Sequence, residues 1–436
     1  MIIYMNAGKS FVVNSLGLTF ILTYIFLSCD ARGDAGTQDN NCISFSHDRH
    51  IKIMTDNKEV LGGMIFKNHP IHATPTAKGT VTVRFGYSSG EIVLPEANAY
   101  SKIQCGNESS FYTEKPLNKL LIITRKKVVI YSSPDTSSAI GLLEEGWRYP
   151  VMSLIRGKKG SLWYRISLAG RTGYINYADV SLDRGIPVLN YHHILREDEN
   201  IHFRDINTTI SYNAFSRQMQ WLHAYGVTTL TTKELERWLN REINIPARAV
   251  LLTFDDGLKS VHRYAWPVLS RYSMKATLFV ITSRIAKKTT NWNPDILQSL
   301  YEDELQEISG AFSLQSHSDA LHNTIGDGTR NIYNYTFQTI EGDFYRSRDI
   351  LERFNSDVYA LAWPYGSASE RAEQAVKNAG FRLGFSIQQG RINPGDNLLE
   401  LKRYYLKENT TRKELMSLVD GSEKYPNYPH QNNKND

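Results

Sequence analysis

Two adjacent carboxylates, Asp255 and Asp256, follow an apolar run in the middle of this 436-residue chain. The run extends from Ala249 to Phe254, and Gly257 comes directly after the carboxylates. A short apolar run bounded by a turn signal is typical of a strand covered on both faces. The carboxylates then lie at the carboxyl edge of a parallel sheet, where α/β proteins build their sites. Taken alone, the same residues are also explained by a turn or a helix N-cap.

Three other polar stretches follow apolar runs. They are Tyr191-His192-His193, the segment from His317 to His322, and Trp363-Pro364-Tyr365-Gly366. In a barrel these stretches meet Asp255 and Asp256 at one mouth, because the carboxyl ends of parallel strands share an edge. Each stretch has a simpler explanation by itself, but four of them at one edge make coincidence much less plausible.

This convergence suits a metal-dependent hydrolase. Two imidazoles and one carboxylate are a common set of zinc ligands and leave a position open for water. The candidate ligands are Asp256, His317 and His322. The predicted cofactor is a divalent metal, zinc first, with cobalt or nickel as alternatives. The histidines are five residues apart, a spacing that does not stack them on one helix face, so a loop must bring them together.

The remaining polar groups supply proton transfer. The metal lowers the pKa of its water and polarises the substrate carbonyl, and Asp255, which is not a ligand, can accept the proton of that water. The tight turn at Tyr365 and Gly366 can direct a backbone N–H at the developing oxyanion. A separate acid must protonate the leaving amine, and His192 is the best-placed candidate.

Strands and helices alternate from Gly185 onward, and these elements must position the polar stretches. The predicted strands are 186–190, 249–254, 276–281, 312–315, 359–363 and 381–387. The predicted helices are 215–225, 232–239, 258–271, 294–308, one within 331–354, and 369–378. Thr231 and Glu234 form a capping box for the second helix, and Pro267 predicts a kink or break in the third. The alternation indicates a parallel sheet with barrel-like closure.

The amino terminus predicts export. Residues 1–29 carry an apolar run that ends in Phe26-Leu27-Ser28-Cys29, which resembles a bacterial lipobox. In proteins with that motif the cysteine is lipidated and becomes the mature amino terminus. The alternative is an uncleaved transmembrane anchor. Either interpretation predicts a membrane-anchored lipoprotein or a protein of the cell envelope or exterior. Residues 30–47 are then a flexible tether, and residues 421–436 are a disordered tail.

Charge and cysteine content exclude several classes of protein. The net charge of +5 is spread along the chain, without the basic stripe of a nucleic-acid-binding surface, so no nucleic-acid partner is expected. No CxxC pair occurs, which argues against a thiolate zinc site. If Cys29 is lipidated, Cys42 and Cys105 remain as an even pair and are predicted to form a disulfide in an exported compartment. The alternative is two unrelated buried thiols.

Two segments ahead of Gly185 contain many short strands separated by turn residues, which indicates small barrels. The segment 118–183 resembles a bacterial SH3-like domain in its opening Val129-Ile130-Tyr131-Ser132-Ser133-Pro134, in Trp163-Tyr164, and in Gly173-Tyr174-Ile175. The segment 48–110 resembles a more divergent copy. This resemblance implies a cell-wall peptide or glycan as a partner. The alternative is that both modules are spacers or packing pieces.

The segment 185–420 resembles a polysaccharide deacetylase, the NodB-homology group of carbohydrate esterase family four. Thr253-Phe254-Asp255-Asp256-Gly257 matches the first family motif, in which the first aspartate is the base and the second binds metal. His317-Ser318 and His322 match the second motif. Their spacing, Trp363-Pro364-Tyr365-Gly366, and Tyr191-His192 ahead of the first motif all resemble the branch that acts on poly-β-1,6-N-acetylglucosamine. The resemblance implies an α/β fold, a distorted (β/α) barrel preceded by the small all-β SH3-like modules.

The chain departs from the family pattern in two places. No arginine comes just before Trp363, where many members use one to orient the base, and no Leu-x-His motif follows. The second absence supports His192 as the acid by elimination. Trp363, Pro364 and Arg403 are the predicted substrate-binding residues, although Arg403 either lines the site or pairs with a carboxylate.

The predicted function is therefore metal-dependent hydrolysis of N-acetyl groups from an N-acetylglucosamine polymer, which releases acetate. One alternative keeps the chemistry and changes the substrate to peptidoglycan, because SH3-like modules often bind cell walls. A second alternative is a wall-binding protein whose barrel is catalytically silent. The intact set of two aspartates and two histidines argues against silence, because binding alone has no chemical need for all four.

Overall fold

The computed structural model describes residues 41–55, 58–95, 99–105, 120–288, 290–322, 332–354, 357–366 and 368–422. The predicted signal segment 1–29, the tether up to residue 40, and the tail from residue 423 lie outside the described residues. The last part of the predicted tether is structured instead, because a strand begins at Asn41. In the part of the chain that the structure describes, no helix has the length and apolar character needed to cross a membrane.

The described residues between Asn41 and Leu182, which we call the β region, consist mainly of short strands. They are β1 (Asn41–Ser44), β2 (Arg49–Thr55), β3 (Lys58–Ile65), β4 (Ala73–Pro75), β5 (Thr80–Phe85), β6 (Ser88–Val93), β7 (Ser101–Gln104), β8 (Leu121–Ile123), β9 (Val128–Tyr131), β10 (Ala139–Leu143), β11 (Arg148–Pro150), β12 (Ser153–Arg156), β13 (Leu162–Leu168), β14 (Arg171–Asn176) and β15 (Ser181–Leu182). The predicted all-β character is confirmed.

The two predicted modules are not separate units. Ten strands form one sheet in the order β12-β13-β14-β9-β10-β3-β2-β6-β5-β4, and β13 also pairs with β5. The pairing of β10 with β3 joins the segments 48–110 and 118–183. Phe85 of the first segment and Ile130 of the second belong to one buried cluster. Since a shared sheet and core cannot be divided, the boundary between two modules is corrected, and the SH3-like resemblance stays a prediction.

The predicted disulfide between Cys42 and Cys105 is present. It joins β1 to the residue after β7, and these two strands pair antiparallel. Cys42 is fully buried. The β region therefore starts at β1, several residues before the boundary at residue 48 that the sequence predicts.

The rest of the described chain alternates between strands and helices. The strands are β16 (Ile186–Tyr191), β17 (His193–Leu195), β18 (Thr209–Ser211), β19 (Thr228–Thr229), β20 (Ala249–Phe254), β21 (Ala276–Val280), β22 (Phe312–Ser316), β23 (Ala360–Ala362), β24 (Leu383–Phe385), β25 (Arg391–Ile392) and β26 (Tyr404–Tyr405). The helices are α1 (Tyr212–Ala224), α2 (Thr232–Leu239), α3 (Trp266–Arg271), α4 (Glu302–Ile308), α5 (Phe337–Leu351), α6 (Glu370–Asn378) and α7 (Arg412–Asp420).

The main sheet closes into a distorted barrel. Its parallel core runs in the order β24-β23-β22-β21-β20-β16. The segment that contains Leu401 and β26 fills the gap between the two ends. The Leu401 N–H donates to the Gly384 carbonyl on one side, and β26 pairs with β16 on the other. The predicted barrel-like closure is therefore confirmed, although this last segment is too irregular to form one continuous strand.

Two predicted helices are shorter than expected, for local reasons. The helix predicted over 294–308 begins only at Glu302, because Ser299 and Tyr301 make extended-chain bridges to Leu258 and Ala286. The helix predicted over 258–271 is a π-helical turn followed by α3, with Pro267 in the first turn of α3. By contrast, α2 has the predicted capping box.

The β region packs against the amino-terminal edge of the barrel. Arg148 of β11 is fully buried and forms an ion pair with Asp183, with 2.9 Å between Nε and Oδ2. Its two other nitrogens donate to the carbonyls of Gly185 and Pro246. These carbonyls precede β16 and β20, so the β region lies at the opposite end of those strands from the predicted site.

Candidate functional site

The side chains of Asp255 and Asp256, which directly follow β20, lie in different surroundings. Residues Ala249 and Leu251 pack in the barrel interior, while Val250 and Leu252 pack toward the helices. Asp255 continues the interior row, because side chains alternate along a strand. Its neighbour Asp256 has a φ of 74°, in the left-handed region. The backbone therefore turns between the two carboxylates and gives them different surroundings.

Left-handed backbone recurs at three strand ends of the barrel. Ser318, after β22, has a φ of 73°, and Tyr365, after β23, has a φ of 56°. Together with Asp256, these residues occupy a conformation that costs non-glycine residues about 1–3 kcal/mol each. Such strain persists only where the surrounding contacts hold it, and all three positions belong to the polar stretches that the sequence singles out.

Asp256, His317 and His322 come together as predicted. The Nε2 atoms of both histidines lie 3.6 Å from Oδ1 of Asp256. That oxygen is buried and has no hydrogen-bond partner among the described residues. The His317 Nδ1–H donates to the Ala362 carbonyl at 2.8 Å, which leaves Nε2 with its lone pair toward Asp256. An orphaned carboxylate oxygen facing two imidazole nitrogens fits a divalent cation.

His322 is held from its other side by Tyr365. The two rings lie 4.4 Å apart between centroids, and the Tyr365 hydroxyl donates to the His322 carbonyl at 2.9 Å. Arg284 donates to the same carbonyl at 3.2 Å. Burial, together with the neighbouring His317, lowers the pKa of His322 to about 4. The imidazole is therefore neutral near pH 7, the form that binds metal.

Asp255 is fixed by a fork of hydrogen bonds. Arg403 donates from Nη1 to Oδ1 at 2.7 Å and from Nη2 to Oδ2 at 2.8 Å. Burial alone would raise the pKa of Asp255, but Arg403, with His192 and His317, holds that pKa well below its usual range. Arg403 is itself buried on the carboxylate. The sequence leaves two roles open for Arg403, and in the structure it is the partner of a carboxylate.

His192 lies beside this carboxylate. Its Nε2 atom is 3.7 Å from Oδ2 of Asp255, and its side chain is 16% exposed. Burial lowers the pKa of His192, although the charges of Asp255 and Asp256 oppose that effect. The ring of Tyr405 lies 5.7 Å away and covers one side. His192 is therefore a partly exposed imidazole next to the buried carboxylate of Asp255.

Two of the predicted substrate-binding residues are in the core. Trp363 is fully buried, packs edge-on against Phe344, and donates from its indole nitrogen to the Leu399 carbonyl at 2.6 Å. Pro364 is buried as well. We correct the prediction for both residues, because neither offers a surface to a polymer. Their packing instead fixes the turn that carries Tyr365.

Asn190 is a site residue that the sequence reasoning missed. Its Oδ1 atom accepts from Arg403 at 3.1 Å and from the Thr253 hydroxyl at 2.9 Å. Its Nδ2 group donates to Asp255 at 3.2 Å. One signal was available: Asn190 is a lone amide in a strand that is buried along its whole length.

Comparison with known proteins gives matches over part of the chain. A family model described as "Polysaccharide deacetylase" matches residues 242–384. The poly-beta-1,6-N-acetyl-D-glucosamine N-deacetylase of Staphylococcus epidermidis is 30% identical over 217 residues, which are 47% of this chain and 73% of that protein. The protein of the same name from Staphylococcus aureus is 26% identical over 232 residues, 51% of this chain and 78% of that protein. The solved structure of IcaB from Ammonifex degensii aligns with a TM-score of 0.47 and 23% identity, over 55% of this chain and 98% of that one.

Proposed function

The chain belongs to the polysaccharide deacetylase family, and we propose from this premise that it removes N-acetyl groups from a poly-β-1,6-N-acetylglucosamine-like polymer in a metal-dependent reaction. As a member, it is a polysaccharide N-deacetylase, a hydrolase of linear amides. The observation that carries the metal dependence is the orphaned Oδ1 of Asp256, 3.6 Å from the Nε2 atoms of His317 and His322.

Asp256, His317 and His322 would hold the metal. One carboxylate and two imidazoles favour zinc, with cobalt or nickel as alternatives. A divalent ion bound there supplies polarisation of the acetamide carbonyl and a lowered pKa for the attacking water. The hydrogen bond from His317 Nδ1 to the Ala362 carbonyl holds the first ring. The hydrogen bond from the Tyr365 hydroxyl to the His322 carbonyl holds the backbone that carries the second.

Asp255 accepts the proton of the attacking water. Arg403 and Asn190 hold its carboxylate in one orientation, and the low pKa keeps it ionised. A carboxylate of such low basicity is a poor acceptor for the proton of ordinary water. It can accept a proton more readily from a water whose pKa a bound metal ion would lower. The role of Asp255 as the base therefore depends on the metal ligands.

His192 delivers a proton to the leaving amine. The proton that Asp255 gains lies on a carboxylate whose Oδ2 is 3.7 Å from the Nε2 of His192. Because the pKa of His192 is lowered, the imidazole begins neutral and can take that proton. As the C–N bond breaks, Nε2 donates the proton to the amine nitrogen. The products are acetate and a glucosamine unit, and the side chains return to their initial states.

The backbone N–H of Tyr365 donates a hydrogen bond to the developing oxyanion. The left-handed turn at this residue, the buried Trp363 and Pro364, and the ring contact with His322 together support this role. The same side chain therefore positions an oxyanion donor and a metal-binding loop. Pre-organised donors of this kind contribute without reorganisation during the reaction.

Relatives named as poly-β-1,6-N-acetylglucosamine deacetylases favour that polymer as substrate. The disulfide between Cys42 and Cys105 supports an exported chain, since disulfides persist in oxidising compartments. Peptidoglycan is the second candidate substrate, and the all-β region ahead of the barrel is the observation that favours it. A lipid anchor at Cys29 and a cell-wall ligand for the β region remain predictions.

Acetate release from each polymer tests the proposal. The purified full-length chain, stripped with a chelator and then supplied with zinc, cobalt or nickel, is incubated with poly-β-1,6-N-acetylglucosamine and with peptidoglycan. We expect metal-dependent acetate release that is at least tenfold faster from the first. Faster release from peptidoglycan would change the substrate. Equal release in the presence of the chelator would overturn the metal dependence.

A further inference from the structure

The loop between His317 and His322 must fold tightly to bring both rings to Asp256. Its first residue after His317, Ser318, is fully buried and left-handed. The Ser318 N–H donates to the hydroxyl of Ser316 at 3.0 Å. The N–H groups of the next two residues, Asp319 and Ala320, need acceptors of their own, because an unpaired buried N–H is costly.

Asp343 supplies both acceptors. Its Oδ1 atom accepts from the Asp319 N–H and its Oδ2 atom from the Ala320 N–H, each at 2.8 Å. Asp343 is 1% exposed and lies on the buried face of α5, alongside Ile340 and Phe344. Burying a carboxylate on such an apolar face costs free energy unless hydrogen bonds compensate for the lost hydration. Here each oxygen is matched to one backbone donor of the loop.

The loop also has contacts that do not involve Asp343, including a bond from the Thr282 N–H to the Ser318 carbonyl at 3.1 Å. The Asp319 carboxylate accepts from the Thr282 hydroxyl at 2.8 Å and from Nε of Arg346 at 3.2 Å. The Arg346 side chain is 58% exposed, so its charge is well screened. Asp343 is therefore the buried carboxylate that accepts two backbone N–H groups of the loop, and the Asp319 side chain makes the contact with the exposed Arg346.

We propose that Asp343 is a positioning residue of the metal site, which holds the loop 317–322 in the conformation that lets His317 and His322 bind one ion. This inference rests on the proposed metal-dependent function. Only an ionised carboxylate presents two acceptors in this geometry. Asparagine has the same shape but turns an NH₂ group toward one of the two N–H donors. A pre-formed loop matters because a site that must be ordered by its ion binds that ion more weakly.

The charges around Asp343 agree with this role near neutral pH. Burial raises the pKa of Asp343 to about 6, and the carboxylate of Asp319 adds to that effect. The two backbone N–H groups and the guanidinium of Arg346 oppose it. At pH 7.5 the group is ionised, so both oxygens are acceptors and the test is made at that pH.

Zinc affinity of the full-length protein, measured against a chromophoric chelator, tests the proposal with Asp343→Asn. We expect the variant to bind zinc at least tenfold more weakly than the wild type. The matched control is Asp349→Asn on the same helix, whose side chain is 66% exposed; it should bind within twofold of the wild type. An Asp343→Asn protein that is folded by circular dichroism and binds zinc as tightly as wild type would overturn the proposal.

A second readout needs no metal. In the metal-free protein, at least one of the amide protons of Asp319 and Ala320 should exchange at least tenfold faster in Asp343→Asn than in wild type, because one of the two N–H groups loses its acceptor. If that variant does not fold, wild-type exchange decides: protection factors near one at these two amides would contradict the proposal. If wild-type protein binds no zinc but the amides behave as expected, the proposed function fails while the loop contact stands, so the two failures are distinguishable.

Discussion

Two buried arginine–aspartate pairs lie near opposite ends of strand β16. Arg148 and Asp183 form the first, at the amino-terminal edge of the barrel, and both side chains are fully buried. Arg403 and Asp255 form the second, at the carboxyl-terminal edge, and are almost as deeply buried. The chemistry of the two pairs is the same. Their surroundings differ: the first pair lies at the interface between the β region and the barrel, and the second lies in the proposed catalytic site.

The first pair is closed on itself. Arg148 also donates from Nη1 to the Pro246 carbonyl and from Nη2 to the Gly185 carbonyl. The second oxygen of Asp183, Oδ1, accepts from the Gly185 N–H at 3.0 Å. These bonds join the β region to the barrel. Each nitrogen of Arg148 and each carboxylate oxygen of Asp183 therefore has a hydrogen-bond partner within the protein.

The second pair is surrounded by polar atoms without partners. Among the described residues, the buried atoms that lack a hydrogen bond include Oδ1 of Asp256, Nδ1 of His192 and Oγ of Ser318. Two of these residues, Asp256 and Ser318, also have left-handed backbone conformation. Folding leaves unpaired atoms and strain where they serve a ligand or a reaction. The comparison therefore agrees with the site that the motifs indicate.

Removing the charge of Asp255 should have the largest effect. We expect Asp255→Asn to lower kcat for acetate release by about 10²–10⁴-fold, because the base is lost while its shape is kept. Zinc binding should stay within about threefold of wild type, since Asp255 is not a ligand in this account. The control is Asp179→Asn in the exposed pair with Lys126. Activity within tenfold of wild type would remove Asp255 as the base.

Breaking the other pair should affect stability and leave the chemistry intact. Arg148→Met leaves Asp183 buried without its partner, which costs about 3–5 kcal/mol of unfolding free energy. Thermal melting should show this loss, while kcat per folded molecule stays within twofold of wild type. Lys126→Met, in an exposed pair, should cost no more than about 1 kcal/mol. A large fall in kcat with unchanged melting would contradict the division between the two edges.

Removing the hydroxyl of Tyr365 should have the smallest of the three effects. Tyr365→Phe deletes one hydrogen bond to the His322 carbonyl and keeps the ring contact and the backbone turn. A single neutral hydrogen bond is worth about 0.5–1.5 kcal/mol, so zinc should bind roughly twofold to tenfold more weakly. Tyr333→Phe removes a comparable bond to the Ala368 carbonyl and serves as control. Equal zinc affinity in both variants would show that this bond does not position His322.

Local signals predicted much of the fold and the core of the site. The capping box at Thr231 and Glu234 is correct because all of its contacts lie within one helical turn. The sequence predicts Asp255, Asp256 and His317 because they come just after buried strands, and His322 because it belongs to the same polar stretch as His317. The pairing of β10 with β3 was missed, because nothing in either strand specifies a partner so far away in the chain.

The errors concern side-chain direction and distant partners. Trp363 was expected to face the substrate, but the residues beside it give no signal for whether its ring points inward or outward. The sequence offers a carboxylate partner for Arg403, but the pairing with Asp255 spans 148 residues, so no pattern along the chain identifies which carboxylate it is. Asp343 was missed because it lies on the apolar face of a helix, where the periodicity indicates only a core position.

The central claim is that one metal ion, held by Asp256, His317 and His322, makes this chain a deacetylase. Stepwise addition of zinc to the chelator-stripped full-length protein, with acetate release from poly-β-1,6-N-acetylglucosamine followed at each step, tests it most directly. We predict that activity rises in proportion to zinc and reaches its plateau at one equivalent per chain, and that Asp256→Asn gives no such rise. Full activity before any metal is added, or the same titration curve from Asp256→Asn, would contradict the account.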